Sequence, residues 1–322
     1  MSKCVLITGI GGNVGQGIVR NILSFGYNVK IIGTDIEAVT GGNHLCDKVH
    51  KVPFSTAPGY ISSIVKICKK EKVDMIIPST DYEIYFLAKA VDKLPLLASS
   101  DEDTAYIFLN KYKTWLEFKK LSIPFAETTL PSLYNNEFEE IIVKPIEGRG
   151  SRGIHFNPAH PKEFSDNFII QKLYKGTEIT TAFYVTKQKR LLGHITLEKT
   201  VFHGVTKLCE VIFDYDKKIE KIIKKIVKNF RIKGSCNIQS IVDEKDNIIP
   251  FEINCRLSGT NSIRGHFGFE DVRYTLDEYL FNKRPKRPIV KKGAAVRLLM
   301  DVIYSGVGLK KIKDKTTAHH MF

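Results

Sequence analysis

Two neighbouring strands in the second half of the chain combine acidic, amide and guanidinium side chains in a set order. The first strand contains Asn237-Ile238-Gln239, and the second contains Phe251-Glu252-Ile253-Asn254-Cys255-Arg256. The polar stretch 243–247 between them predicts a turn, so the two strands form a hairpin. Because side chains alternate along a strand, the three polar side chains of the second strand point to one face. The glutamine of the first strand can face them across the hairpin.

These side chains have the chemistry of a site for magnesium and phosphate. Gln239, Glu252 and Asn254 offer oxygen atoms, which Mg²⁺ requires, and the phosphates of ATP complete its coordination shell. Arg256 can then stabilise a phosphoryl group during transfer. An isolated strand Glu and Arg usually form a cross-strand ion pair, but this whole set would otherwise lie without a use on a core-facing sheet. We therefore predict a metal site at Gln239, Glu252 and Asn254, with Arg256 as a catalytic residue.

A glycine-rich basic loop precedes this hairpin in the chain. Lys144 ends the apolar strand 141–144, and Gly148-Arg149-Gly150-Ser151-Arg152-Gly153 follow shortly after it. Three glycines in six residues predict a mobile loop, and its free amides and two arginines suit a polyphosphate. Lys144 can supply a point charge to an α- or β-phosphate. The loop lacks the Gly-Lys-Ser/Thr of a P-loop, so it does not match that pattern.

The strand after this loop predicts a site for the nucleoside. Ile169-Ile170-Gln171-Lys172-Leu173 leads to a short connection, with Glu178 a few residues further on. The backbone of Gln171, Lys172 and Leu173 can hydrogen-bond adenine, and Glu178 can hold the ribose hydroxyls.

The pattern of elements divides the chain into an α/β part and an α+β part. Residues 1–98 alternate strands and helices, which is typical of a small parallel α/β domain. Residues 99–289 have one helix at 101–121 and then mostly strands, which indicates antiparallel sheets. A small lobe is expected at about 125–172, and residues 290–322 form a C-terminal extension that completes the second domain.

The first loop of the α/β domain contains a dinucleotide-binding fingerprint. Thr8-Gly9-Ile10-Gly11-Gly12-Asn13-Val14-Gly15 follows a strand and opens a helix, and Asp35 lies where a ribose-binding acid would be. A short-chain dehydrogenase would also need a Tyr-x-x-x-Lys near mid-chain, but that spacing occurs only at Tyr279 and Lys283. Two alternatives remain: a nicotinamide site, or a turn that packs strand against helix or holds part of a substrate.

Composition excludes several classes of protein. Among 322 residues no apolar run approaches the length of a membrane span, and the N-terminus lacks a signal peptide's apolar region. The six cysteines form no CxxC pair, which fits reduced thiols in the cytoplasm. The net charge of +14 is concentrated at 217–233, where lysines alternate with isoleucines at helical spacing. We expect a cytoplasmic protein with a solvated lysine face and no nucleic-acid or membrane partner.

These motifs, in this order, resemble the ATP-grasp superfamily over residues 1 to about 285. The nearest resemblance is to the large subunit of carbamoyl-phosphate synthase and its short single-module relatives. It implies a Rossmann-like pre-ATP-grasp domain followed by an ATP-grasp fold, with ATP and Mg²⁺ as cofactors and Mn²⁺ as an alternative ion. It also implies that Lys111 and Lys144 bind the nucleotide under the glycine loop, and it suggests a homodimer.

The resemblance implies an activity as well. Lys172 stands where many members have Glu, Cys255 where many have Pro, and only one synthetase-like module is present. These departures favour a carboxylate–amine ligase, which forms a C–N bond through an acyl phosphate and releases ADP and phosphate. The alternatives are an NAD(P)-dependent oxidoreductase and a nucleotide-binding protein without catalysis.

Arg264 is a further candidate, for binding the acid substrate. It follows the metal-binding strand by a few residues, in a loop with glycines at 259, 265 and 268. An arginine beside the γ-phosphate can form a bidentate pair with a carboxylate. The alternative is that Arg264 pairs with Glu270 or Asp271 and only anchors the loop.

Overall fold

The N-terminal part of the chain is a parallel α/β sheet with helices on both faces. The computed structural model describes residues 2–148, 150, 152–202 and 204–322. Strands and helices alternate as predicted, and the strands pair in the order β3-β2-β1-β4-β5. The elements are β1 (Lys3–Thr8), α1 (Asn13–Ser24), β2 (Val29–Asp35), β3 (Lys48–Lys51), α2 (Tyr60–Glu71), β4 (Met75–Ile77), α3 (Asp81–Lys89) and β5 (Leu96–Leu97).

Strand order reverses between β1 and β4, which pair with neighbours on opposite sides. The loops after these two strands therefore meet at one edge of the sheet, the position at which open α/β sheets bind ligands. The glycine turn after β1 and the first residue of α3, Asp81, both lie at this edge.

The helical segment after the first sheet is two helices and not one. The sequence predicts a helix at 101–121, but the structure has α4 (Glu102–Leu109) and α5 (Lys111–Lys120). Asn110 separates them, because its extended backbone ends α4 and its side-chain oxygen accepts a hydrogen bond from the Lys113 amide at 2.9 Å. This cap gives α5 its own start and places Lys111 in the first turn.

Two antiparallel sheets make up the rest of the chain. The smaller has the order β6-β9-β7-β8, and the larger has the order β14-β13-β10-β11-β12-β15. The small sheet comprises β6 (Thr128–Thr129), β7 (Ile141–Pro145), β8 (His155–Phe156) and β9 (Phe168–Lys172). The large sheet and its helix comprise β10 (Thr177–Val185), β11 (Leu191–Phe202), β12 (Val205–Ile212), α6 (Asp216–Asn229), β13 (Gly234–Val242), β14 (Ile248–Asn254) and β15 (Ala294–Val296). Shorter elements are α7 (Asn261–Arg264), α8 (Asp271–Thr275), a π-helical turn (Leu276–Leu280), β16 (Val302–Ile303) and β17 (His320–Met321).

The two faces of the large sheet have different partners. One face packs its buried side chains, such as Phe183 and Ile238, against α4, α5 and α6. On the other face, Ala182, Tyr184 and Leu197 pack against Phe269 and Tyr274, at the far end of the sheet. At the other end of the sheet, this second face carries polar side chains.

The two parts of the chain share one continuous packing layer. Leu257, Val272 and Leu276 of the second part belong to the same buried cluster as Val5 and Ile18 of the first. The fold is thus a parallel α/β domain followed by antiparallel sheets, as predicted, with the first domain docked directly on the second. Within the part of the chain that the structure describes, no helix is long and apolar enough to cross a membrane.

Candidate active site

The predicted polar face of the large sheet is formed. In the β13–β14 hairpin Gln239 lies opposite Glu252, and Asn237 lies opposite Asn254. The Asn254 amide donates a hydrogen bond of 3.1 Å to Glu252 Oε1, and the Thr180 hydroxyl donates one of 3.0 Å to Asn237 Oδ1. The hairpin therefore brings together the three predicted oxygen ligands, Gln239, Glu252 and Asn254.

Lys199, on β11, is a site residue that the sequence analysis missed. Its Nζ donates a hydrogen bond of 2.9 Å to Gln239 Oε1 and forms an ion pair of 2.9 Å with Glu178 Oε1. The Lys199 side chain is only 9% exposed, so this ammonium group lies inside the site. Lys199 lies two residues after the buried Leu197 on β11, so the two side chains point to the same face of the sheet. That alternation is the sequence feature that could have identified Lys199.

Lys144 connects the small sheet to the large one. Its Nζ donates to the carbonyl oxygen of Phe251 at 3.5 Å and lies 5.2 Å from the centre of the Phe251 ring. Burial lowers the pKa of Lys144 to about 7, and the nearby Lys111 adds to this effect while Glu252 opposes it. The structure thus holds a buried amine without a close carboxylate partner among the described residues, which is a favourable place for a polyanion.

Glu252 remains ionised next to these lysines. Burial would raise the pKa of Glu252, but Lys111, Lys144 and the Asn254 amide together hold it below its usual range. Lys111 itself is buried at the start of α5, where its backbone N–H donates to the carbonyl of Ile146 at 2.9 Å. A charged carboxylate is the form that a metal ion needs.

The glycine loop reaches the turn between β11 and β12. Arg149 and Ser151 of the predicted loop lie outside the described residues, whereas Gly148, Gly150, Arg152 and Gly153 are described. Gly150 and Gly153 have positive φ angles of 64° and 67°, a region that favours glycine. A Cβ atom added at Gly204 would lie 2.6 Å from the carbonyl oxygen of Gly150. The loop therefore contacts the hairpin turn that follows the Lys199 strand.

The predicted adenine-binding strand is β9, but two of its amides already have partners. The Lys172 N–H donates to the carbonyl of Glu127, and the Leu173 N–H donates to the carbonyl of Glu140, both at 2.9 Å. Gln171 is buried, and its side-chain amide donates to the Thr128 hydroxyl at 2.9 Å. The Lys172 and Leu173 amides as they stand are therefore not free to donate to a base bound here.

Arg256 links the site to the N-terminal domain. Its Nε and Nη2 atoms lie 2.9 and 2.8 Å from Asp81 Oδ2, at the edge of the parallel sheet where the strand order reverses. Burial opposes the charge of Arg256, but the Asp81 carboxylate raises the pKa of the guanidinium. The geometry holds Arg256 in a set orientation at the end of β14.

Arg264 is fully buried and its hydrogen-bonding groups are used within the protein. Its guanidinium pairs with Asp271 through Nε and Nη2, and Nη1 donates to the Ser258 and Thr260 hydroxyls at 2.6 and 2.9 Å. With 0% of the side chain exposed, the structure favours the anchoring alternative over substrate binding.

The glycine turn after β1 also has its groups engaged. The Gly11 N–H, one of the amides that could meet a pyrophosphate, donates to Asp35 Oδ2 at 2.7 Å. A Cβ atom at Gly259 would lie 2.7 Å from the side-chain amide of Asn13, so the start of α1 abuts the loop after β14. This geometry favours the packing alternative over a nicotinamide site.

The oxygen ligands fit a metal that shares its coordination with phosphates. Among the described residues no group of three or more His, Cys, Asp or Glu side chains could hold an ion. One carboxylate and two amide oxygens suit Mg²⁺ only when nucleotide oxygens and water supply the rest. Gln239 Oε1 accepts one hydrogen bond, from Lys199, and has a second lone pair that could bind a metal.

Two family models match consecutive parts of the chain. Residues 5–96 match the PylC-like N-terminal domain, and residues 108–260 match the ATP-grasp domain. The carbamoyl phosphate synthase large chain of Clostridium acetobutylicum is 26% identical, over 80% of this chain and 27% of that protein. The same enzyme from Pseudothermotoga lettingae is 24% identical, over 80% and 26%. The chain thus spans about a quarter of the length of these curated relatives.

Solved structures have the same fold at low sequence identity. The biotin carboxylase domain dimer of the Hydrogenobacter thermophilus 2-oxoglutarate carboxylase, in complex with MgADP, ADP and bicarbonate, has a TM-score of 0.73 at 14% identity. The alignment covers 91% of this chain and 73% of that one. N5-carboxyaminoimidazole synthetase from Staphylococcus aureus, complexed with ADP, has a TM-score of 0.74 at 11% identity, covering 93% and 83%.

Proposed function

We propose that this chain, which belongs to the ATP-grasp superfamily, is an ATP- and Mg²⁺-dependent carboxylate–amine ligase. In this proposal a carboxylate and an amine are joined through an acyl phosphate. The division of the chain at 98/99 and 289/290 and a homodimeric assembly are part of the same proposal. One structural relative is described as a dimer.

A single observation carries the proposal: buried cations and metal-type oxygen ligands converge on one face of one sheet. Lys144 and Lys199 lie almost out of solvent beside Glu252 and Gln239. Three amines, those of Lys111, Lys144 and Lys199, face two carboxylates, those of Glu178 and Glu252, and a triphosphate would neutralise the excess positive charge. A protein with only a structural role would gain nothing from this charge.

In this proposal, the metal ligands, the lysines and Arg256 have separate roles. Glu252, Asn254 and Gln239 would hold Mg²⁺, which when bound neutralises charge on the phosphates. Lys111, Lys144 and Lys199 would bind phosphate oxygens, with Glu178 released to the ribose. Arg256, oriented by Asp81, would stabilise the phosphoryl group between donor and acceptor.

The reaction consists of two displacements. A substrate carboxylate oxygen attacks the γ-phosphorus of ATP, and the bond to the bridging oxygen breaks, which releases ADP. The nitrogen of a neutral amine then attacks the acyl carbon. The bond from that carbon to the phosphate oxygen breaks, and the nitrogen proton leaves as the amide forms. The protein contributes positioning and charge stabilisation, and no side chain has to form a covalent intermediate.

The test is nucleotide titration followed by an ADP-release screen over amino acids, sugar acids and candidate amines. We expect ATP–Mg²⁺ binding without NAD(P) binding, and ADP release that depends on both an acid and an amine. NAD(P) binding would favour the oxidoreductase alternative, and ATP binding without turnover for any pair would favour a non-catalytic protein.

Glu252→Gln should lower the rate of ADP release by about two orders of magnitude or more, because it removes the only carboxylate among the proposed metal ligands. Glu220→Gln is the matched control, since Glu220 only pairs with Lys224 on the surface of α6. Near-native turnover of Glu252→Gln at limiting Mg²⁺ would remove Glu252 from this role.

A further inference from the structure

A cavity of about 600 Å³ lies between the N-terminal domain and the ATP-grasp domain, outside the nucleotide site described above. Its walls are the outer face of α1, the segment around α7 and the chain that follows β15. The two domains build it jointly, because α1 comes from the first and the other two walls come from the second.

The polar lining of this cavity is basic. Arg20 on α1, Arg297 after β15 and His266 line it, together with amide groups such as Gln16, and no acidic residue is among the described lining residues. Among the described residues, Arg297 donates to two backbone carbonyls, those of Thr206 at 3.1 Å and Gly259 at 2.8 Å. Burial lowers the pKa of Arg297, and the neighbouring charge of Arg20 lowers it further. Two guanidinium groups therefore share one cavity without a carboxylate to neutralise them there.

Arg297 also places the cavity next to the catalytic face. The Gly259 carbonyl that it binds lies three residues after Arg256, in the loop that leaves β14. Cys209, on β12, lies near both Arg297 and Lys199, and both cations offset the effect of burial on its pKa. The cavity thus adjoins the loop that follows Arg256.

The wall formed by α1 is rigid. A Cβ atom at Gly17 would lie 2.4 Å from Asn261 Oδ1, so α1 and α7 touch at this glycine. The Asn21 side-chain amide also donates to the Asn261 carbonyl at 3.0 Å. Arg20 is therefore presented from a helix whose position is determined by close packing.

We infer that this cavity binds the anionic group of a substrate, a carboxylate or a phosphate, between Arg20 and Arg297. Guanidinium groups match both oxyanions in geometry and charge. Ile263, Val296 and Leu298 form an apolar part of the lining, which fits a short aliphatic segment next to the anionic group. The inference rests on the proposed function, because it assigns a substrate subsite to the same enzyme.

Calorimetric titration of the full chain saturated with Mg²⁺ and a non-hydrolysable ATP analogue tests this inference. Inorganic phosphate and glutarate are the two probes, because the first represents a phosphate group and the second a carboxylate group. We expect one of them to bind at one site per chain. Arg20→Gln should weaken its binding about tenfold or more, because one charged hydrogen-bonding partner is lost. Arg20→Lys keeps the positive charge, so it should lose less affinity for the probe than Arg20→Gln does.

Arg190→Gln is the matched control, because Arg190 is an exposed arginine in the turn between β10 and β11 and should leave the affinity unchanged. The inference is overturned if neither probe binds the wild-type chain, or if Arg20→Gln binds the probe as tightly as wild type. Binding of the ATP analogue is read in the same experiment. Its absence would contradict the proposed function, whereas analogue binding without anion binding would contradict only this subsite.

Discussion

The charge states of single side chains in the site depend on burial and on neighbouring charges. Lys144 is the clearest case, since burial takes its pKa to about 7 and no carboxylate accepts a hydrogen bond from it among the described residues. The free protein therefore holds this amine partly deprotonated at neutral pH, and phosphate binding would favour the protonated form.

This pKa predicts a pH dependence of ATP binding. Below pH 7 Lys144 already carries its proton, so ATP affinity should be flat; above pH 7 binding must take up a proton, so affinity should fall as pH rises. Calorimetry in buffers of different ionisation enthalpy should show uptake of nearly one proton per ATP at about pH 8. Lys144→Met should bind ATP weakly and without this uptake, whereas Lys217→Met on the exposed face of α6 should behave as wild type. The absence of proton uptake in the wild-type protein would contradict the assignment.

Arg264 illustrates the opposite case, a charged side chain whose partners are all internal. Arg264→Lys keeps the charge but cannot reproduce the fork that contacts Asp271, Ser258 and Thr260. We expect a loss of stability of roughly 2 kcal/mol or more, with little change in the KM values of the folded enzyme. Thermal unfolding would measure this, and Arg231→Lys, at an exposed pair with Asp101, is the control. A selective rise in the KM of the acid substrate at unchanged stability would restore the substrate-binding role.

At the scale of elements, the glycine loop contacts the β11–β12 turn. Lys199 is near the end of β11, so the turn after this strand and the loop after β7 approach the proposed phosphate site from two sides. Gly204 and Gly150 allow this approach because neither has a side chain.

Gly204→Ala should separate the two segments and raise the KM for ATP several-fold. The added methyl group would lie 2.6 Å from the Gly150 carbonyl oxygen, and the φ of 73° adds backbone strain. Gly306→Ala is a precise control, because Gly306 has a φ of 72° but no atom within 4 Å of the added Cβ. A comparison of the steady-state kinetics of the two variants separates the effect of backbone strain from the effect of the contact with Gly150. Equal KM values for ATP in the two variants would contradict a role for this contact.

The packing of the two domains determines the orientation of Arg256, the arginine proposed to be catalytic. Arg256 belongs to the large sheet, and Asp81 belongs to the first domain, with side chains 14% and 9% exposed. The N-terminal domain is therefore more than a neighbour of the site, because it supplies the carboxylate that positions Arg256.

Asp81→Asn should lower both stability and kcat. Removing one partner of a mostly buried ion pair costs about 3 kcal/mol, and Arg256 would lose its orientation, so kcat should fall by more than KM rises. Asp74→Asn, at a half-exposed pair with Lys3 inside the first domain, is the control for loss of a carboxylate alone. Unchanged kcat in Asp81→Asn would show that the pair serves only to dock the domains.

Local sequence patterns were sufficient for the fold class and for the metal-type face. The alternation in 251–256 and the turn at 243–247 depend on neighbouring residues only, so the relation of Gln239 to Glu252 could be predicted from strand periodicity and hairpin geometry. The helix break at Asn110 was missed because a single capping side chain produced it within an otherwise helical pattern.

The partners of charged side chains were decided by the tertiary structure. Lys199 meets Gln239 and Glu178 because β11 lies next to β10, and Arg256 meets Asp81 because one domain docks on the other. Arg264 became an anchor because Asp271 folds back onto it in the buried space between β13 and α8. Such contacts join residues distant in sequence or depend on how a loop folds, and no local periodicity encodes them. A charge can be read from the sequence, but whether it binds a ligand or another residue depends on which side chains the fold brings within reach.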